Sequence, residues 1–268
     1  MGIYLHWTEK ELKYLSLNYY GTPGETLRSN LRNRDLGAIN RKASVLGLHK
    51  ASTRLSKASN LLSQTPEAYY WLGFLLADGG FTERRIGLKI ADKDADHLQC
   101  FHNFIESKNK IRRKDNTCQV RVTDIATVTE LRKRFDITNC KTYHPCKIDQ
   151  IGNDDLLFAL IIGFIDGDGC VTKNKSRKSS FILSVVGHHS WLSNFMFMED
   201  NLRRIVGSEP QRSAKIRDHY VMLPKQTEKR KFRLADFYIC DRETLLAIRK
   251  KADDLHLPFM ARKLGKIE

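Results

Sequence analysis

The sequence predicts an α+β fold of two similar halves, preceded by a small all-helical unit. Three observations carry this. Two apolar segments, Trp71 to Gly79 and Ile161 to Gly169, start 90 residues apart and both end in Asp-Gly. Each is followed by alternating strands and amphipathic helices in the same order. Ahead of them, residues 1–50 hold three short helical periods broken by turn residues. Each half reads helix, strand pair, helix, strand pair, helix, and two such halves should pack about a pseudo-two-fold axis.

In the first unit, Thr8 caps a helix, with Glu11 completing a capping box. Leu12, Leu15 and Tyr19 continue it, and Gly21-Thr22-Pro23-Gly24 breaks it. A second helix fits 25–31. A third fits 35–46, with Ile39, Ala43 and Leu46 on one face and Gly47 as its C-terminal cap. Three short helices with tight turns are the layout of a helix-turn-helix module. Arg34, Asn40, Arg41 and Lys42 give the third helix the composition of one that reads a major groove. Residues 51–65, polar and serine-rich, read as a linker.

The first half spans 66–150. Its helix is entered at Pro66-Glu67. Ile86, Leu88 and Ile90 mark a strand, and Ala95, Leu98, Phe101 and Ile105 a helix. Cys118, Val120 and Val122 mark the next strand, and Ile125, Val128, Leu131 and Phe135 the next helix. The second half spans 151–268, and its helix starts after Asn153-Asp154-Asp155. Residues 181–186 are strand-like, and Trp191, Phe195, Met198, Leu202 and Ile205 step as a helix. Residues 232–240 are strand-like, and Leu245, Ile248, Ala252 and Leu255 form the last helix.

The chain has 268 residues, with 46 Lys and Arg against 31 Asp and Glu, a formal net charge of +15. Chemistry on small neutral substrates needs no such excess. It points to a polyanionic partner, nucleic acid first. Hydrophobic residues at 41% exclude a wholly disordered basic protein. The longest apolar run, Leu156 to Ile165, has ten residues, short of the roughly 18 of a membrane span. No membrane partner and no signal peptide are therefore expected, and a cytoplasmic or nucleoid location follows. The six cysteines include no C-x-x-C pair. Cys140, His144 and Cys146 are too few for a closed zinc site and read as structural.

The chemistry should lie at the two repeated helix ends. Gly73 with Ala77, and Gly163 with Gly167, put small residues on one helical face, which lets two helix backbones approach closely. Asp78 and Asp168 follow at the C-termini, where the helix dipole disfavours a carboxylate and where two acids would repel. A shared divalent cation removes both objections. Carboxylate and carbonyl oxygens suit Mg²⁺, or another divalent ion such as Mn²⁺. Such ions could activate water and stabilise a leaving 3′ oxygen.

The repeated motif resembles the LAGLIDADG homing endonucleases in their single-chain, two-motif form, over roughly residues 66–268. The resemblance implies two αββαββα halves forming a DNA-binding saddle. It implies Asp78 and Asp168 as metal-binding acids, with the carbonyls of Ala77 and Gly167 completing the coordination. Leu76 stands where the family often has an acid that is usually not a ligand, and Asp166 keeps that acid in the second copy. Lys141, within Asn139-Cys140-Lys141-Thr142, and Lys263, within 258–263, match regions where the family carries a basic catalytic group. Such a lysine can polarise water or offset transition-state charge. Asp92 and His188, after the first strand pairs, are candidates to hold water.

The resemblance further implies a monomer making metal-dependent double-strand cuts in a long asymmetric target, with cohesive 3′ overhangs. It also implies an intron-encoded or free-standing mobile gene. Two other readings stay open: an RNA maturase whose partner is intron RNA, and a catalytically inactive DNA-binding regulator. In the N-terminal unit, Trp7-Thr8-x-x-Glu11 and Asn33-Arg34-x-x-x-Ala38-Ile39-x-Arg41-Lys42-Ala43-x-x-Leu46-Gly47-Leu48 resemble Myb/SANT-like DNA-binding domains.

Basic clusters mark the expected DNA surface. They are Arg112 and Arg113; Lys173, Lys175, Arg177 and Lys178; and Lys229, Arg230, Lys231 and Arg233. Arg84 and Arg85 join them. Lys89 and Arg121 alternate with apolar neighbours, so one sheet face is polar and can read base edges. Loop charges would contact phosphates.

Overall fold

The computed structural model of the chain describes residues 6–19, 22–48, 56–173, 181–222 and 229–267, with the backbone alone at 220–222 and 229–230. It divides into two compact units, one ending at Leu55 and one beginning at Ser56.

The first unit holds α1 (Glu9–Asn18), α2 (Gly24–Asn30) and α3 (Leu36–Val45). The capping box of α1 is formed. Thr8 Oγ1 accepts the Glu11 N–H at 3.3 Å, and the Thr8 N–H donates to the Glu11 carboxylate at 2.8 Å. Asp35 caps α3 by accepting the Ala38 N–H, and Gly47 leaves it at φ +66°. Leu15, Leu27, Ile39 and Ala43 form the core, with Trp7 against it.

Arg34 departs from its expected role as a DNA contact. Only 8% of it is exposed. Its Nε and Nη2 donate to the two Glu11 carboxylate oxygens at 2.9 and 3.0 Å, and its guanidinium lies 4.5 Å over the Trp7 ring. The planar fork matches a carboxylate, so Arg34 ties α1 to the start of α3. Composition alone could not separate this use from a groove contact.

The second unit runs α4 (Pro66–Ala77), β1 (Gly79–Phe81), β2 (Arg85–Ala91), α5 (Ala95–Phe104), β3 (Arg112–Lys114), β4 (Thr117–Thr123), α6 (Ile125–Phe135). It repeats this as α7 (Asp154–Asp168), β5 (Gly169–Lys173), β6 (Phe181–His188), α8 (Leu192–Ile205), β7 (Lys215–Met222), β8 (Lys229–Ile239), α9 (Arg242–Asp254). Both halves are therefore αββαββα. Their antiparallel sheets have equivalent strand orders, β1-β2-β4-β3 and β5-β6-β8-β7. β1, β3, β5 and β7 were not individually legible. β3, for example, is an edge strand whose three residues are all exposed, so it has no alternation to read.

Residues 56–65 depart from the linker expectation. A 3-10 turn at Ala58–Leu62 buries Ala58 and Leu61 in the core of the second unit. The Lys57 N–H donates to the Ile105 carbonyl at 2.6 Å, and Asn60 Nδ2 to the Phe104 carbonyl at 2.7 Å. Two apolar residues in a serine-rich stretch suffice to dock it.

The axis of the second unit is the pair α4 and α7. Thr65 and Asn153 cap their N-termini. Every residue from Ala68 to Ala77 and from Leu156 to Asp166 is buried, which explains the absence of an amphipathic period. The backbones meet at two glycines. A Cβ on Gly73 would fall 1.9 Å from the Leu160 carbonyl oxygen, and one on Gly163 would fall 1.9 Å from that of Tyr70. Both members of each contact shift by the repeat interval, so the contacts exchange under a local two-fold.

Overpacking a rigid backbone contact costs about 1–3 kcal/mol or more. Gly73→Ala and Gly163→Ala should each lower the unfolding free energy by about 2 kcal/mol or more. Gly152→Ala, with nothing within 4 Å of the added Cβ, should change it by less than about 0.5 kcal/mol. Urea denaturation of the three variants measures this. In the first unit, the Arg34 hydrogen bonds hold the Glu11 carboxyl at about 2 rather than 4.5. A depressed carboxyl pKa stabilises above the unfolded value and is lost as pH falls through the folded one. The protection factors of residues 9–19 and 22–45, corrected for intrinsic exchange, should therefore fall between about pH 4.5 and 2, and Glu11→Gln should remove that dependence.

Candidate active site and nucleic-acid interface

The ends of α4 and α7 touch. A Cβ on Gly167 would lie 2.3 Å from Ala77 Cβ and 3.4 Å from the Asp78 nitrogen. Asp78 caps α4, its N–H still donating to the Phe74 carbonyl at 2.9 Å, and Asp168 is the last residue of α7. The chain then folds straight back into β1 or β5. A Cβ at either following glycine, Gly79 or Gly169, would lie 2.5 Å from the carbonyl four residues earlier. This is the physical reason for Asp-Gly in both copies.

The two carboxyls are electrostatically linked. Asp168 is pushed up to about 6, first by burial and then by the charge of Asp78, with Lys141 and Lys263 opposing. Burial also raises Asp78, against Lys263, Lys141 and Arg262. Both side chains reach solvent on one side. The packed helix ends behind them withhold water on the other.

The two predicted lysines come to the same place. Lys141 Nζ donates to the carbonyls of Leu76 and Ala77, at 2.7 and 2.5 Å. Lys263 Nζ donates to those of Ile165 and Gly167, at 3.3 and 2.9 Å, and to that of Asp166. Cations suit the negative ends of helix dipoles. Burial lowers both lysine pKa values, and the aspartates oppose the shift. The sequence thus located six groups that the fold gathers: Asp78, Asp168, Lys141, Lys263 and the carbonyls of Ala77 and Gly167.

That donor set suits a hard divalent cation. It offers two carboxylates and carbonyl oxygens that already attract an ammonium. Among the described residues there is no group of three or more His, Cys, Asp or Glu that could hold a metal. A site of few protein oxygens, with room for water and phosphate ligands, is the kind Mg²⁺ uses.

Around this centre lies a network the sequence reading missed. Asp166 is 1% exposed. Its Oδ2 accepts the Tyr70 hydroxyl at 2.7 Å and the Met260 N–H at 2.8 Å. Burial pushes its pKa up to about 6. Tyr70 OH also lies 3.0 Å from His97 Nε2, and burial holds His97 at about 4, neutral at pH 7. Tyr70 carried no signal because it sits in a wholly apolar helix. His188 lines a small cavity with Ala77, Lys141, Asp168 and Trp191. Asp92 instead faces Arg113 at 3.5 Å, at the sheet edge. The Cys146 thiol is buried and pushed up to about 12, which agrees with a structural cysteine.

The sheet faces turned away from the core are the candidate DNA surface. In the first half, a groove of about 450 Å³ runs from Asp78 past Thr82, Arg85, Lys89, Gln119 and Arg121. The register confirms the shared face: Gly87 pairs with Arg121, while Lys89 and Arg112 each pair with Gln119. Arg84 is exposed in the turn before β2. Arg113 pairs with buried Cys118, so it lies on the opposite face, contrary to expectation.

In the second half, the corresponding surface carries Ser184, Val186, Lys215, Arg217, Asp236 and Tyr238. Lys215 and Arg217 were missed because β7 was not read, although their two-residue spacing is its signature. Arg217 is bound to Asp236 at 2.8 Å. Lys173, Lys231 and Arg233 pair with Phe181, Tyr220 and Asp218. By alternation they lie on the other face, and Lys231 is bridged to Asp218 at 2.8 Å. Clustering in sequence does not place charges on one side of a strand. Lys175, Arg177 and Lys178 lie outside the described residues, as do the side chains of Lys229 and Arg230. In the first unit, α3 exposes Asn40 and Arg41, while Lys42 is half-buried.

A carboxyl raised by burial favours folding while protonated, and that contribution is lost as pH rises through the folded value. In EDTA, Asp168→Asn should therefore raise thermal stability at pH 8 but not at pH 4. Because water screens one side of the carboxyl, the gain should be on the order of 1 kcal/mol.

No protein-family model and no curated protein matches the chain. Among solved structures, it is similar to the I-LtrWI LAGLIDADG homing endonuclease bound to target DNA, at 13% identity and TM-score 0.45, covering 78% of this chain and 88% of that one. It is also similar to the LAGLIDADG meganuclease I-CpaMI bound to uncleaved DNA, at 11% identity and TM-score 0.46, covering 75% and 88%. A third is I-SmaMI bound to an uncleaved DNA target in the presence of calcium ions, at 11% identity and TM-score 0.41, covering 75% and 87%.

Proposed function

We propose that the chain is a LAGLIDADG-type endonuclease that cuts both strands of a long, asymmetric DNA site, with a divalent cation, Mg²⁺ first. One observation carries the reading: two aspartates on abutting helix ends, each with a lysine on the adjoining carbonyls, related by a local two-fold. Duplex cleavage needs two chemically equivalent centres in opposed orientation, and the repeat supplies them. The exposed basic groups Arg85, Lys89, Arg121, Lys215 and Arg217 on the outer sheet faces give the polyanion a surface. The first unit adds Asn40, Arg41 and Lys42 of α3, which would contact a flank of the site and gain from being tethered.

The carboxylates of Asp78 and Asp168, with the carbonyls of Ala77 and Gly167, are the groups that would hold the cation. When bound, it would supply charge stabilisation and a more acidic water. Lys141 and Lys263 hold positive charge at the two helix ends. Their buried ammonium groups give up a proton more readily than ordinary lysines, which suits them to polarise water or neutralise a phosphate oxygen. His188, beside Lys141, is placed to hold water.

The test uses a plasmid library of random inserts, incubated with Mg²⁺ or EDTA. The wild type should linearise a defined subset in Mg²⁺ only. Asp78→Asn and Asp168→Asn should each lose at least about 10²-fold in rate while still binding that subset. Binding without cutting by the wild type would identify a regulator instead. If it neither binds nor cuts DNA, the intron RNA becomes the substrate to test.

A further inference from the structure

We infer that each of the two lysines is held in place by the opposite half of the molecule, through Asp94 for Lys263 and Trp191 for Lys141. The inference rests on the endonuclease reading for its catalytic consequence, and on geometry alone for the hold.

Lys263 belongs to the segment after α9, in the second half, and reaches the carbonyls of α7. The neighbouring Arg262 donates from Nε and Nη2 to the two carboxylate oxygens of Asp94, at 2.6 and 2.8 Å. Asp94 belongs to the first half, in the 3-10 turn between β2 and α5, and its side chain is only 9% exposed. The Arg262 side chain is 44% exposed, but a bidentate, charge-assisted pair still fixes the geometry of both partners. Tyr70, also of the first half, reinforces it through Asp166, which accepts the Met260 N–H.

Lys141 shows the reverse arrangement. It lies after α6, within the first half, and reaches the carbonyls of α4. The indole N–H of Trp191 donates to the carbonyls of Lys141 and Thr142, at 3.2 and 3.1 Å. Trp191 belongs to the second half, in the 3-10 turn between β6 and α8. Asn194 on α8 adds a bond from Nδ2 to the Cys146 carbonyl at 2.8 Å. Asp94 and Trp191 each end the 3-10 turn at the same place in their halves, one residue before α5 or α8. One position in the repeat thus performs one task in both halves, with an ion pair in one and an indole in the other.

Both segments are irregular, and each carries a buried ammonium group that water would otherwise draw out. Asp94 and Trp191 therefore act as positioning residues, each supplied by the half that does not carry the lysine it steadies.

Two variants and two readouts test this on the full chain. Hydrogen exchange, read by mass spectrometry without DNA, decides the hold whether or not the chain cuts DNA. Asp94→Asn should speed exchange in residues 258–267 about tenfold or more and leave 139–146 unchanged. Trp191→Phe, which keeps the ring in the core but removes the N–H, should do the converse. Strand-resolved cleavage of a supercoiled target is the second readout. Each variant should slow one strand about tenfold or more, so that nicked circle accumulates. The two variants should spare opposite strands, and Asp94→Glu should restore much of the lost rate. Unchanged exchange at 258–267 in Asp94→Asn, or equal slowing of both strands by either variant, would overturn the inference. A wild type that cuts nothing would remove the endonuclease reading, with the exchange result still deciding the hold.

Discussion

The closeness of α4 and α7 is the constraint on which the second unit depends. Without side chains at Gly73 and Gly163, the backbones sit in contact. Only at that separation do the helix ends bring Asp78 and Asp168 into electrostatic reach of each other. The same contact fixes the origin from which both sheets run, because β1 begins two residues past α4 and β5 one residue past α7. Site and sheet faces are thus one rigid object, as the proposed cleavage of two phosphates on a stiff duplex would require. Its stability derives from burial of both helices on all sides rather than from polar contacts at the site.

Much of this was legible in the sequence, because repetition multiplies weak signals. One Asp-Gly after an apolar helix says little. Two copies at a fixed interval, with matching small residues and matching flanks, expose the two-fold. The long strands and amphipathic helices were readable for the ordinary reason that one face is wet. The failures have equally physical causes. Arg34 had the composition of a DNA contact but serves Glu11. Lys231, Arg233 and Arg113 were grouped by sequence proximity, whereas a strand sends neighbours to opposite faces. Tyr70, Asp94 and Trp191 were invisible as site residues because their partners lie 70 residues or more away or in the other half, as with Tyr70 and Asp166, 96 positions apart.

Charge is used differently by the two sheets. In the first half, Arg85, Lys89 and Arg121 stand on a face whose groove contains no acid beyond Asp78. In the second, Arg217 is already bound to Asp236, and Ser184, Val186 and Tyr238 share the surface. A phosphate or base edge meeting the second face must compete with an existing ion pair, while the first face offers its cations unencumbered by carboxylates in the groove. The halves are equivalent in topology and unlike in chemistry, as an asymmetric duplex site would demand of its reader.

The contact between Tyr70 and Asp166 makes the two halves non-interchangeable partners. Shifted by the repeat interval, Tyr70 corresponds to Leu160 and Leu76 to Asp166. Two copies of the first half, paired about the same axis, would set each tyrosine hydroxyl against a leucine. Two copies of the second would set each buried carboxyl against one. Either assembly would lose this hydrogen bond twice over, leaving Tyr70 with His97 alone or Asp166 with the Met260 N–H alone, at about 1 kcal/mol for each bond lost. The two halves share a topology, but this contact makes each a better partner for the other than for a second copy of itself.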